Sequence, residues 1–119
     1  MKLNILLALF FSVNAFSDLG VSCGSEMVTY KHVSFNARFD VCPAERGNFN
    51  IYAKSVGGNY HTCNFEALAI KTGNSYTAVN NECEISFVIN GNELTPNFSK
   101  KCRSYCGARS IWEIGKYVK

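Results

Sequence analysis

The stretch Cys83-Glu84-Ile85-Ser86-Phe87-Val88-Ile89-Asn90-Gly91 decides how this chain folds. Cys83, Ile85, Phe87 and Ile89 alternate with Glu84, Ser86 and Val88, and a period of two is the mark of a strand with one buried face. Asn90-Gly91 follows at once. Asn-Gly favours a type I′ turn, whose central residues both take positive φ, so the segment predicts a hairpin. Its return strand is short, Asn92 to Leu94, and Pro96 is expected to end it because proline cannot donate to a ladder.

Working outward, the same alternation recurs. Val33, Phe35, Ala37, Phe39 and Val41 alternate with Ser34, Asn36, Arg38 and Asp40, which predicts a strand over 33–41. Phe49, Ile51 and Ala53 suggest another, ended by Gly57-Gly58-Asn59. A further strand runs from Tyr60 to Lys71 with Cys63, Phe65, Ala67 and Ala69 on one face, and a Thr72-Gly73-Asn74 turn follows. Residues 97–110 read as a long loop and Ile111 to Val118 as an edge strand. There is no helical pattern longer than about two turns, and no internal repeat. Short alternating strands separated by turns predict an all-β fold, a small antiparallel β-barrel or sandwich.

The N-terminus speaks to compartment. Lys2 is a short basic region, Leu3 to Val13 is apolar apart from Asn4 and Ser12, and Ala15-Phe16-Ser17 is a small-x-small cleavage pattern. Such a run is too short for a bilayer, which needs about twenty residues. Residues 1–17 therefore read as a signal peptide and residues 18–119 as one domain. A lipoprotein would want a leucine-like residue where Gly20 precedes Cys23. No later apolar run predicts a membrane span, and the expected location is periplasmic or secreted.

Six cysteines, Cys23, Cys42, Cys63, Cys83, Cys102 and Cys106, follow the signal segment. An even number in an exported chain reads as three disulfides, with fifteen conceivable pairings. Parity puts Cys63 with Phe65 and Cys83 with Phe87 on inward faces and so favours a Cys63–Cys83 bond. Cys102 and Cys106 would then close within one loop, leaving Cys23 with Cys42.

Charge and motifs exclude more than they assign. Without Lys2, eleven basic residues face nine acidic ones, a net charge of +2. That is too little for a nucleic-acid binder. His32 and His61 invite comparison with two-histidine catalysts, but parity puts His61 inward and His32 outward, and no Gly-x-Ser-x-Gly elbow is present. The Cys-x3-Cys spacing of Cys102 and Cys106 lacks a second pair to complete a zinc site. No residue set calls for a cofactor.

The unusual segment is 97–112. It carries Lys100, Lys101, Arg103 and Arg109 with Phe98, Tyr105 and Trp112, and no acidic residue stands between Glu93 and Glu113. Arginine and aromatic residues on a pinned loop suit a binding surface. The plainer reading is a solvated basic loop with Tyr105 and Trp112 covering the end of the core. Asn97-Phe98-Ser99 is a glycosylation sequon, which matters only in a eukaryotic source.

Cys63-Asn-Phe-Glu-Ala, Cys83-Glu-Ile-Ser-Phe, Cys102-Arg-Ser-Tyr-Cys106-Gly-Ala-Arg and Gly115-Lys-Tyr together resemble a group of uncharacterised bacterial exported proteins, whose shared ending is Cys-x-x-Tyr-Cys-Gly-Ala-Arg. That resemblance implies no activity. A looser similarity is to periplasmic lysozyme inhibitors, small disulfide-braced barrels that push a loop into a cleft holding two carboxylates. The Ser-Gly-x-x-Tyr loop of the main inhibitor families is missing, so no inhibitory residue follows by motif.

The reading that results is a non-catalytic binding protein. Lys100, Lys101, Arg103, Tyr105, Arg109 and Trp112 would face a protein partner, such as a lysozyme-like hydrolase or a toxin. The alternatives are a small hydrolase using His61 or His32, and a structural envelope protein.

Overall fold

In the computed structural model the described residues are Cys23 and 26–119. The signal peptide over 1–17 and the expected start of the mature chain at Asp18 lie outside them. Eight strands follow one another: β1 Val28–His32, β2 Ala37–Pro43, β3 Phe49–Val56, β4 Thr62–Thr72, β5 Ser75–Asn80, β6 Cys83–Asn90, β7 Glu93–Phe98 and β8 Tyr117–Val118. Each pairs antiparallel with the next, and β8 returns to β1, so the sheet closes into a barrel. Closure removes the exposed edges that make open sheets prone to association.

The inward residues fill the barrel. Phe39, Ile51, Ala53, Phe65, Ala69, Ala78, Ile85, Phe87, Leu94 and Tyr117 are all buried. Large and small residues share this interior, and an eight-stranded barrel is just wide enough for side chains to fill. Phe39 meets Tyr117 edge-on at 5.1 Å between ring centroids, and Tyr76 stacks on Phe87 at 5.3 Å.

The sequence reading of β3, β4 and β6 agrees with these strands, and four details differ. First, Val33 and Phe35 are more than half exposed and belong to the turn between β1 and β2, not to a strand. The cause is His32, whose Nδ1 accepts the backbone N–H groups of Ser34 and Phe35 at 3.0 and 3.1 Å and bends the chain there. Second, the β6–β7 turn is centred one residue later than expected. Asn90 pairs with Glu93, Gly91 has φ of 65°, and Asn92 is not at positive φ. That pattern belongs to a type II′ turn, which wants glycine first.

Third, Pro96 does not end β7 but lies within it, opposite Phe87. Pairing with β8 covers only Glu93 and Leu94, so a missing N–H at Pro96 interrupts no ladder on that side. Fourth, the closing strand is the two residues Tyr117–Val118, not 111–118, and it is paired on both sides.

The disulfides are Cys23–Cys42, Cys63–Cys106 and Cys83–Cys102. Cys63 and Cys83 do point inward, as parity requires, with 0 and 1 % exposure. They are not bonded to each other. β4 pairs with β5 only from Ala69 to Thr72, so its first half, which runs on past the end of β5 at Asn80, has a gap beside it in the ladder. The chain between β7 and β8 enters this gap, and each inward cysteine bonds to it separately.

Candidate functional site

The segment filling the gap is the one singled out in the sequence. A 3-10 helix, Lys100–Tyr105, follows β7 directly and is anchored to β6. Ser99 donates its N–H to the Glu84 carbonyl at 2.9 Å, while Ser99 Oγ accepts from Glu84 N at 2.9 Å. Cys102, fully buried, completes this attachment through Cys83. At the other end Cys106 forms an antiparallel bridge with Cys63, and Gly107 N donates to the Thr62 carbonyl at 2.8 Å. The 3-10 helix is therefore stapled to β6 on one side and to β4 on the other.

Beyond it the chain docks on β3. Ser55 is an inward residue of β3, 1 % exposed, and its Oγ donates to the Ile111 carbonyl at 2.8 Å. A buried hydroxyl would be costly without this bond. Gly57 packs against the same stretch so closely that a Cβ there would lie 2.7 Å from Ser110 Cα.

Tyr105 and Trp112 are both held in place by packing and hydrogen bonds. The Tyr105 ring meets Phe65 at 5.6 Å. Its hydroxyl lies 2.9 Å from both oxygens of Asn80 and accepts from Asn81 Nδ2 at 3.0 Å. Trp112 stacks on Phe98 at 5.2 Å with an interplanar angle of 15°, and its Nε1 donates to the Cys102 carbonyl at 2.9 Å. Both rings are fixed by bonds to backbone as well as by packing.

The cations divide into two kinds. Lys101 pairs with Glu82 at 3.2 Å. The stretch that lacks acids in sequence thus meets one in space, contributed by the β5–β6 turn. Both partners are well exposed, and such a pair contributes little. Lys100, Arg103 and Arg109 are exposed and, among the described residues, form no ion pair.

Beside the 3-10 helix runs a groove of about 470 Å³, lined by Phe98, Trp112, Ile111 and Ile114, with Lys100 and Arg103 among its lining residues. Ile111 is 53 % and Ile114 73 % exposed. These two isoleucines were not picked out by sequence because residues 111–118 read as a strand. Their exposure follows from the irregular path of 107–116, which has no period to betray it.

The two histidines are held differently. His32 Nδ1 accepts two backbone N–H groups and its Nε2 lies 2.8 Å from the Ile114 carbonyl, an arrangement met by the tautomer with its proton on Nε2. Both ring nitrogens are occupied in holding the β1–β2 turn against the 107–116 segment. His61 packs against Gly107, where a Cβ would approach its Nδ1 at 2.9 Å. Among the described residues no group of three or more His, Cys, Asp or Glu is gathered to hold a metal ion, and no helix is long and apolar enough to cross a membrane.

Two tyrosines of the interior are perturbed. Burial raises Tyr117 well above its ordinary value near 10, and the charge of Glu113 adds to the effect. Burial also raises Tyr30, with a further contribution from Tyr76. Neither hydroxyl opens onto the groove; Tyr117 donates to the Glu113 carbonyl at 2.7 Å.

Comparison of the chain with protein-family models, with curated proteins and with solved structures returns no match.

Proposed function

We propose that this chain is an exported, non-catalytic binding protein that presents its 100–112 surface to an acidic protein partner. Export is supported by the basic, apolar and small-x-small pattern of residues 1–17 and by three disulfides, which persist in oxidising compartments. The observation that carries the binding reading is that Lys100, Arg103 and Arg109 are exposed and, among the described residues, form no ion pair, on a segment cross-linked at Cys102 and Cys106. A segment already ordered loses less entropy when a partner docks. Unpaired cations favour a partner with clustered carboxylates and speed its encounter.

A cell-wall hydrolase of the lysozyme type suits this charge, because its cleft holds two carboxylates. A toxin neutralised by the protein is the other partner of this kind. The occupied ring nitrogens of His32 weigh against the alternative of a histidine hydrolase.

The test compares wild type with Arg103→Glu/Arg109→Glu in lysozyme-inhibition assays and in pull-downs from periplasm and host secretions. The double variant is expected to fold normally and to lose inhibition or the captured partner. Equal behaviour of the two proteins removes this surface from consideration.

A further inference from the structure

The groove beside the 3-10 helix gives the binding surface a chemical preference, and the inference that follows rests on the reading of 100–112 as that surface. Its lining combines the apolar residues Phe98, Trp112, Ile111 and Ile114 with the cations Lys100 and Arg103. Among the described residues no acidic one lines it. Lys101, the neighbouring cation, is drawn away to Glu82, which leaves Lys100 and Arg103 as the charges at the groove.

Exposed isoleucines beside a fixed indole are costly in water unless something covers them. The Trp112 ring cannot turn aside, since it is stacked on Phe98 and bonded through Nε1 to the Cys102 carbonyl. A groove of about 470 Å³ lies within the size range of sites that take a small ligand or a few side chains.

We infer that this groove binds a short acidic peptide segment of the partner, in which a large apolar side chain is flanked by carboxylates. The apolar side chain covers Trp112, Ile111 and Ile114, and the carboxylates meet Lys100 and Arg103. Charge complementarity selects an acidic segment over a neutral one, and the apolar lining selects it over a plain polyanion.

Trp112 is the only tryptophan in the chain, so its fluorescence reports occupancy of the groove directly. The probe is a tryptophan-free peptide with one central leucine between aspartates, titrated into the disulfide-bonded protein at low and at physiological salt. The controls replace the aspartates by lysines, or the leucine by serine. The expected result is a saturable change in Trp112 emission with the acidic leucine peptide alone, weakening as salt rises.

Lys100→Glu/Arg103→Glu is expected to weaken the peptide about tenfold, as two attractive charges become repulsive. Ile114→Asp, at an exposed position, is expected to abolish the response without unfolding the barrel. No change in emission, equal binding of the lysine or serine peptides, or a response only to anionic phospholipid vesicles would overturn the inference. If the peptide fails while Arg103→Glu/Arg109→Glu still loses its partner, the groove is dismissed and the wider binding surface stands.

Discussion

Tyr117 shows how one side chain serves the barrel twice. Its ring is 1 % exposed and closes the core against Phe39, and its hydroxyl donates to the Glu113 carbonyl, tying the irregular segment to β8. Burial and Glu113 raise its pKa above the ordinary value near 10. The unfolded chain therefore gives up this proton first as pH rises through about 10, while the folded chain keeps it. The contribution is full below that pH and is lost above it. Thermal unfolding followed from pH 8 to pH 11 is expected to show stability falling from about pH 10 upward. Tyr117→Phe should lower stability at neutral pH by about 1 kcal/mol through the lost hydrogen bond, and should flatten the alkaline fall. An unchanged alkaline slope in that variant would show that Tyr117 does not cause it.

The elements differ in how much of their structure could be read in advance. β3, β4 and β6 were legible because apolar residues recur at their inward positions, with Ile51, Ala53, Phe65, Ile85 and Phe87 buried. β1 was missed because Val33 and Phe35 carry an apolar period through a turn that His32 makes, a tertiary cause with no local signature. β5, Ser75–Asn80, went unseen because its only fully buried residue is Ala78, which alternation alone hardly marks. The 107–116 segment is held by Ser55, Gly57 and the Cys63 bridge, all distant in sequence, so its path had no local cause to find. Gly57→Ala tests this docking. Its Cβ would press on the Arg109 carbonyl and on Ser110 Cα, both backbone atoms that cannot swing aside. A loss of about 1–3 kcal/mol in denaturant unfolding is expected, as for overpacked sites, with faster amide exchange confined to residues near 107–112. Wild-type stability in that variant would mean the segment is not seated on β3.

At the scale of the whole molecule, the part of the closed barrel where β4 runs on past β5 is completed by a chain segment and two cross-links. The inward parity of Cys63 and Cys83 was legible, and so was the basic character of 97–112. Their partners were not, because pairing depends on how far the β4–β5 ladder extends, and it covers only Ala69 to Thr72 of β4. Cys63–Cys106 closes the longest loop, a separation of 43 residues. Replacing both cysteines by alanine is expected to cost about 4 kcal/mol on the loop-entropy account, measured by denaturant unfolding, and to release the cationic surface from β4. A loss much smaller than the corresponding one for Cys83–Cys102, whose separation is 19, would argue that the bridge to β4 is not a principal fastening.

That fastening holds the 3-10 helix beside the groove in place. Peptide mapping of the non-reduced protein by mass spectrometry tests it most directly. The account predicts peptides joined through Cys23–Cys42, Cys63–Cys106 and Cys83–Cys102. A Cys63–Cys83 or Cys102–Cys106 linkage, or free thiols at these positions, would contradict it.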